Sequence, residues 1–262
     1  MSIEDGIAKL VYENDAKTLK KELSGMPYNS LELIKRSCYK LKEKTDSVSQ
    51  FGISRSGRLP SSDLRLIHIA AYYDSTETFF FLIDFLKKSG ETEKDILYLK
   101  SAGDYYPLHY AIINKSYEIA MYIVNQVPEQ IIKIEYGLAY YPITLAVISG
   151  MTDFIDFILK KPYGIVIEEG QIDQAYDLAL SLGEYPCLKI LIEYKLKNKV
   201  QNSNTEHKPE TIQMKAASNC SPRVVKLVLE NEKEDLAKMF THGNITDCLL
   251  RRLMETQPPK FK

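Results

Sequence analysis

The sequence predicts an all-α chain folded as a solenoid of about five to six helix-turn-helix repeats. Three observations predict it. An apolar-x-Ala pattern recurs in phase along most of the chain, at Ala70, Ala111, Ala146, Ala179 and Ala216, with Leu10 in the same place in an N-terminal copy. Apolar residues between these marks fall at helical intervals, as in Phe154, Ile155, Ile158 and Leu159. Each unit has two short apolar-periodic stretches split by a polar break, which is too little to bury an apolar face alone, so stability has to come from stacking on neighbours. The intervals between marks are 60, 41, 35, 33 and 37 residues, a period of 33 with insertions.

The elements follow in chain order. Ile7–Leu23 is a degenerate first copy. Ser30–Lys44 predicts an extra helix, with Leu31, Ile34, Cys38 and Leu41 on one face. Thr45–Asp63 is rich in Ser, Gly and Arg and reads as a mobile loop. The three clearest copies are Leu64–Leu86, Tyr105–Val127 and Tyr140–Pro162, and two weaker ones are Tyr176–Tyr194 and Ile212–Glu230. The polar stretch Asn198–Lys208 separates the last two. Ile245–Glu255 predicts a closing helix with Leu249, Leu250 and Leu253 inward, and the final residues fray. The expected organisation is residues 1–63 as an N-terminal repeat, helix and loop, 64–230 as the array, and 231–262 as a capping segment with a tail.

The segments Pro107-Leu108-His109-Tyr110-Ala111, Leu66-Ile67-His68-Ile69-Ala70 and Pro142-Ile143-Thr144-Leu145-Ala146 resemble the T-P-L-H-x-A signature of the ankyrin repeat. Gly150 and Gly183 match that family's glycine between the two helices. The resemblance covers Leu64 to Glu230, and Ile7 to Leu23 more loosely. It implies ankyrin-like repeats throughout, with His68 and His109 as structural imidazoles that bond backbone groups between neighbouring repeats. The family's Thr is replaced by Arg65, Tyr106 and Tyr141, so its hydroxyl cap on the inner helix is missing. The Gly of the preceding turn becomes Asp104 and Ala139. Both departures predict less ideal turns.

Composition removes several function classes. With 262 residues, 45% hydrophobic and 26% charged, the balance is that of a folded soluble chain. A net charge of −1 gives no global pull toward nucleic acid or an acidic membrane. Of 34 basic residues only seven are Arg, against the usual preference for Arg in phosphate and base readout. No apolar run approaches the length of a membrane span. Cys38, Cys187, Cys220 and Cys248 are scattered, which predicts a reduced, cytoplasmic setting. None of the phosphate-loop, nucleophile-elbow or zinc motifs is present, no cofactor or metal is expected, and the chain is read as not an enzyme. Two alternatives remain open. One is a cysteine-nucleophile hydrolase pairing Cys220 with His207 or His242. The other is a lipid- or nucleic-acid-binding array using Lys195, Lys197, Lys199, Arg251 and Arg252.

The expected function is recognition of a protein partner by a monomeric array. The register places Leu64, Tyr72, Tyr73, Tyr105, Ile113, Asn114, Tyr140 and Ile148 on the concave face, at the inner helices and the turn tips before them. Tyr supplies large amphipathic contact area at low entropy cost, so these positions predict an aromatic docking stripe. The Ser- and Arg-rich loop, with Arg55 and Arg58, is a second, weaker candidate, better read as a tolerated insertion. The Lys, Ile, Tyr and Asn usage is that of a low-GC genome, and ankyrin-like proteins of such composition include secreted effectors of intracellular bacteria. That association extends the expectation to an effector delivered into a host cell, where it binds a host protein.

Overall fold

The structure, a computed structural model, describes residues 3–26, 39, 63–101, 104–132, 141–160, 164–199, 223 and 227. Within them the chain forms helix pairs: α1 (Ile3–Tyr12) with α2 (Ala16–Ser24), α3 (Leu66–Tyr73) with α4 (Thr76–Lys88), α6 (Pro107–Ile113) with α7 (Tyr117–Gln126), α8 (Pro142–Ser149) with α9 (Thr152–Leu159), and α10 (Glu169–Leu182) with α11 (Tyr185–Lys199). A short helix, α5 (Glu93–Leu97), and a 3₁₀ turn (Pro128–Ile131) are inserted between pairs. The first helices of successive pairs pack on one another in the order α1, α3, α6, α8, α10 and make an inner layer. The second helices make an outer layer. One continuous apolar core runs from Ile7 to Leu227.

The recurrence of Ala has a direct structural cause. Ala70, Ala111, Ala146 and Ala179 are fully buried on the inner helices, where a side chain of one carbon lets neighbouring helices approach closely. The same marks set where each inner helix stops. Four residues beyond each mark the backbone turns left-handed, at Asn14 (φ 56°), Asp74 (57°), Lys115 (61°), Gly150 (69°) and Gly183 (69°). The next N–H then donates back to the marked residue's carbonyl: Asp15 to Leu10 at 3.0 Å, Ser75 to Ala70 at 2.9 Å, Ser116 to Ala111 at 2.8 Å, Met151 to Ala146 at 2.8 Å and Glu184 to Ala179 at 3.0 Å. This is the Schellman closure, which satisfies carbonyls that a helix end leaves open. Only two of the five turns use Gly. Asn and Asp tolerate the left-handed region because their short side chains bond locally, and Lys115 has no such relief.

The missing Thr cap is compensated. His68 Nδ1 accepts the backbone N–H of Arg65 at 3.0 Å, and His109 Nδ1 accepts that of Tyr106 at 3.1 Å. In the third clear copy Thr144 Oγ1 donates to the Tyr141 carbonyl at 2.7 Å. His68 also donates from Nε2 to the Leu99 carbonyl at 3.0 Å and so ties its helix to the loop that starts the next pair. Burial pushes the His68 imidazole down to about 4, with the nearby Arg65 charge acting the same way and its backbone hydrogen bonds opposing. The turn with Asp104 in place of Gly keeps the left-handed conformation, at φ 64°.

Two segments differ from the sequence reading. Glu169, Gly170 and Gln171 open the 14-residue α10, well ahead of Tyr176, where the sequence starts this copy. Gln171 is buried and its Nε2 donates to the Ile132 carbonyl at 3.3 Å, so a side-chain amide anchors the early start of this helix. At the other end of this pair, α11 runs on through Asn198 and Lys199, which the sequence assigned to a polar stretch. The insertion of α5 explains the 41-residue interval. Ile96 and Leu97 are buried, Gln130 Nε2 donates to the Leu97 carbonyl at 2.9 Å, and Glu93 accepts from Tyr122 and pairs with Lys87. The helix expected over Ser30–Lys44, nearly all of the Thr45–Asp63 loop, the copy Ile212–Glu230 apart from Arg223 and Leu227, and the closing helix Ile245–Glu255 lie outside the described residues.

Candidate partner-binding face

The inner helices end at a row of turns, and the two residues after each alanine-type mark's neighbour lead into that row. Reading across the array they are Tyr12 and Glu13, Tyr72 and Tyr73, Ile113 and Asn114, Ile148 and Ser149, and Ser181 and Leu182. Tyr72, Tyr73, Ile113 and Asn114 remain partly exposed, as the sequence reading requires. The ring of Tyr73 bridges two repeats: its centroid is 5.3 Å from that of Tyr12 on α1 and 5.2 Å from that of Tyr72, the latter edge to face. Burial raises the Tyr72 phenol above its ordinary value, so this side chain stays neutral and acts through its ring and its hydroxyl.

Tyr12 was not among the residues the sequence singled out, although the signal was present. Leu10 marks the first copy, and Tyr12 stands at the same offset from it as Tyr72 does from Ala70. The missing Ala made the copy look too degenerate to extend.

Three expected face residues are core residues instead. Leu64 is fully buried because Tyr39, from the inserted segment, pairs with it as an antiparallel bridge: Tyr39 N–H donates to the Leu64 carbonyl at 2.8 Å and Leu64 N–H to that of Tyr39 at 3.2 Å. Tyr105 is 6% exposed. Its ring stands edge-on to His109 at 5.3 Å, and its carbonyl accepts the Ser101 N–H at 2.9 Å, so the turn tip folds back on the helix. Ile148 is 5% exposed, since α8 is packed between α6 and the long α10. A fourth, Tyr140, lies outside the described residues.

Cys187 is a free, buried thiol pushed up to about 12, chiefly by burial with Glu184 adding to it, which is the opposite of an activated nucleophile. Cys220, His207 and His242 lie outside the described residues. Among the described residues no group of three or more His, Cys, Asp or Glu is placed to hold a metal ion, and no helix is long and apolar enough to cross a membrane. Lys195 is engaged internally: its Nζ lies 2.5 Å from Asp173 Oδ1 and 4.8 Å from the centroid of the Tyr176 ring.

In-phase helix pairs, left-handed turns closed on the marked residue, and an imidazole bonding the helix start to the next repeat make up an ankyrin-like fold. The backbone bears this out: it is similar to the crystal structure of the human ASB11 ankyrin repeat domain, with a TM-score of 0.56 and 16% identity over 97% of this chain and 98% of that one. No family model matches the sequence, and no curated protein does. At this identity the likeness concerns the fold, and the face has to be argued from its own residues.

Proposed function

We propose that the protein is a non-catalytic recognition module that binds a protein partner across the turn-proximal ends of its inner helices, with Tyr12, Tyr72 and Tyr73 as the anchor. The observation that carries this reading is the three-ring cluster spanning two repeats. Rings of this size at fully core positions would be enclosed, as Tyr106 and Tyr110 are, yet Tyr12, Tyr72 and Tyr73 keep accessible surface while being held in fixed mutual geometry. A rigid, partly exposed aromatic group loses little ordering entropy on binding. Ile113 and Asn114 continue the face onto the next repeat.

The test is affinity capture with wild type and with a Tyr72→Ala/Tyr73→Ala variant, each confirmed folded by circular dichroism. A partner retained by wild type and lost by the folded variant supports the reading. Equal capture by both overturns it. The finer reading, an effector acting in a host cytoplasm, is supported by residue usage alone. A translocation reporter fused to the full chain tests it, and a signal confined to the producing cell sinks it.

A further inference from the structure

We infer that the Tyr12–Tyr72–Tyr73 cluster receives a cationic side chain, arginine above all, from an extended basic segment of the partner. The inference rests on the partner-binding reading above and adds its chemistry. Two independent features converge on it. The first is the rings. An aromatic face carries negative potential and attracts a guanidinium lying within about 6 Å of its centroid. Tyr73 is tilted 43° to Tyr12 and stands at 83° to Tyr72, so the ring planes are not parallel, and all three side chains are partly exposed while packed against the core.

The second is charge. Glu13 follows Tyr12 and Asp74 follows Tyr73, and Asp74 is exposed. From Leu66 to Leu86 the sequence carries Asp74, Glu77 and Asp84 and no Lys or Arg. The C-terminal ends of α1 and α3 meet here and add partial negative charge. The N-termini of α2 and α4 would oppose them, but each is already met by a side-chain acceptor. Asp15 Oδ1 accepts the Thr18 N–H at 3.0 Å, and Asn14 Oδ1 reaches across the repeat boundary to the Thr78 N–H at 3.0 Å.

Of the cations near in the chain, Lys17 on the first turn of α2 is exposed and acts on Asp15, whose carboxylate, after the hydrogen bond from Thr18, it helps to hold ionised, and the others leave the field standing. Lys9 pairs with Glu13 at 3.6 Å with both side chains about half exposed, a contact of little strength that an incoming guanidinium displaces. Lys115 is turned the other way: its Nζ, like Glu184 Oε2, lies within 4 Å of the point a β-carbon on Gly150 would occupy. Arg65 sits at the opposite end of α3, about 12 Å along the helix. Lys87 is at the far end of α4 and bonded to Glu93 at 2.7 Å.

The probe is a fluorescein-labelled Gly-Ser peptide carrying three arginines, read by fluorescence anisotropy against the full chain, beside the same peptide with citrulline, which keeps the shape and lacks the charge. The expected result is binding of the arginine peptide that weakens as salt is raised, with the citrulline peptide bound at least about tenfold more weakly. Tyr73→Leu, which keeps apolar bulk, and Asp74→Asn, which keeps a residue suited to the left-handed turn, each weaken arginine binding by about three- to fivefold. Lys9→Gln strengthens it. Equal binding of the two peptides, or arginine binding indifferent to both substitutions, overturns the proposal. The two readings fail separately. If a captured partner is lost from Tyr72→Ala/Tyr73→Ala while the arginine and citrulline peptides behave alike, the face stands and its cationic chemistry falls. If the partner is also retained, both fall.

Discussion

The first two repeats and the last two described repeats share one backbone plan and differ in what they place at the end of the inner helix. In the first two the left-handed residue is Asn14 or Asp74, and the residues before it are Tyr12, Glu13, Tyr72 and Tyr73. In the last two it is Gly150 or Gly183, preceded by Ile148, Ser149, Ser181 and Leu182. Glycine makes the turn at no steric cost and presents nothing to a partner. Asn and Asp make it nearly as well and bring a polar group: Asn14 uses it to cap the next repeat's outer helix, and Asp74 leaves a carboxylate beside the tyrosines. Among the described repeats, the first two hold the partly exposed tyrosines and the acidic groups, and the last two hold the glycine turns and a buried Ile148.

The largest expected effect tests whether burial has been assigned to the right residues at the N-terminal end. Leu64 and Tyr72 were read alike from sequence, yet Leu64 is enclosed by Tyr39 and Tyr72 is only partly buried. Leu64→Ala is expected to cost about 3 kcal/mol, the range for emptying a core leucine site. Ile113→Ala, at a partly exposed position, is expected to cost about 1 kcal/mol. Urea unfolding of the two variants compares them directly. Equal losses would mean that Leu64 belongs to the face after all.

The next effect separates the repeats by pH. His68 and Thr144 occupy the same place in their repeats and both serve the start of an inner helix, but only His68 titrates in the accessible range. Its imidazole is held at about 4, mainly by burial, against 6.5 for the exposed group. The unfolded chain therefore binds a proton that the folded chain refuses between those values, and stability falls as pH falls through that window. At pH 5 the loss from this one group is about 2 kcal/mol relative to pH 7.5. A His68→Gln variant is expected to be less stable at pH 7.5 and to show a correspondingly flatter profile down to pH 5. An unchanged slope in that variant would assign the acid sensitivity to other groups.

These contrasts mark what could be read from sequence. The repeat phase was legible over the described copies, because one requirement, a small residue where inner helices touch, met at Ala70, Ala111, Ala146 and Ala179 and relaxed at Leu10, fixes the mark and the turn four residues on. The intervals between Leu10, Ala70, Ala111, Ala146 and Ala179 recur unchanged between the left-handed residues Asn14, Asp74, Lys115, Gly150 and Gly183. Exposure was legible only in part. It depends on what lies over a residue from elsewhere in the chain, and nothing in the local pattern at Leu64 announces a bridge to Tyr39. The early start of α10 was hidden for a similar reason: Gly170 and the acidic pair Glu168–Glu169 argue locally for a loop, and the buried Gln171 contact with Ile132 outweighs them.

A smaller effect probes the turns of the C-terminal half. A β-carbon on Gly150 would meet only Glu184 Oε2 at 3.6 Å and Lys115 Nζ at 3.9 Å, both ordinary contacts. Space is therefore not what requires glycine there; the backbone at φ 69° is. Gly150→Ala is expected to cost about 1–2 kcal/mol from that strain. In contrast, Asp74→Asn should change stability by less than about 0.5 kcal/mol, since both residues suit the turn. Denaturant midpoints for the pair measure the difference, and similar midpoints would show that the two ends pay alike for their turns.

The smallest effect concerns the repeat between the two ends. Lys115 occupies the left-handed position at φ 61° with a long side chain that cannot bond its own turn. Its exposed Nζ lies near Gly150, 3.9 Å from the point a β-carbon there would occupy, and an exposed charge contributes little. The strain of a residue bearing a β-carbon is thus not repaid by its side chain. Lys115→Gly removes the strain, at the cost of a more flexible unfolded chain, and the balance is a gain of about 0.5–1 kcal/mol. Thermal unfolding reads it as a modest rise in the midpoint. The same substitution removes the one cation among the described left-handed turn residues, so arginine-peptide affinity at the tyrosine cluster should stay level or rise slightly. A fall in stability would mean that the Lys115 contact outweighs its backbone strain, and that this middle turn, like the tyrosine end, carries chemistry at the expense of ideal geometry.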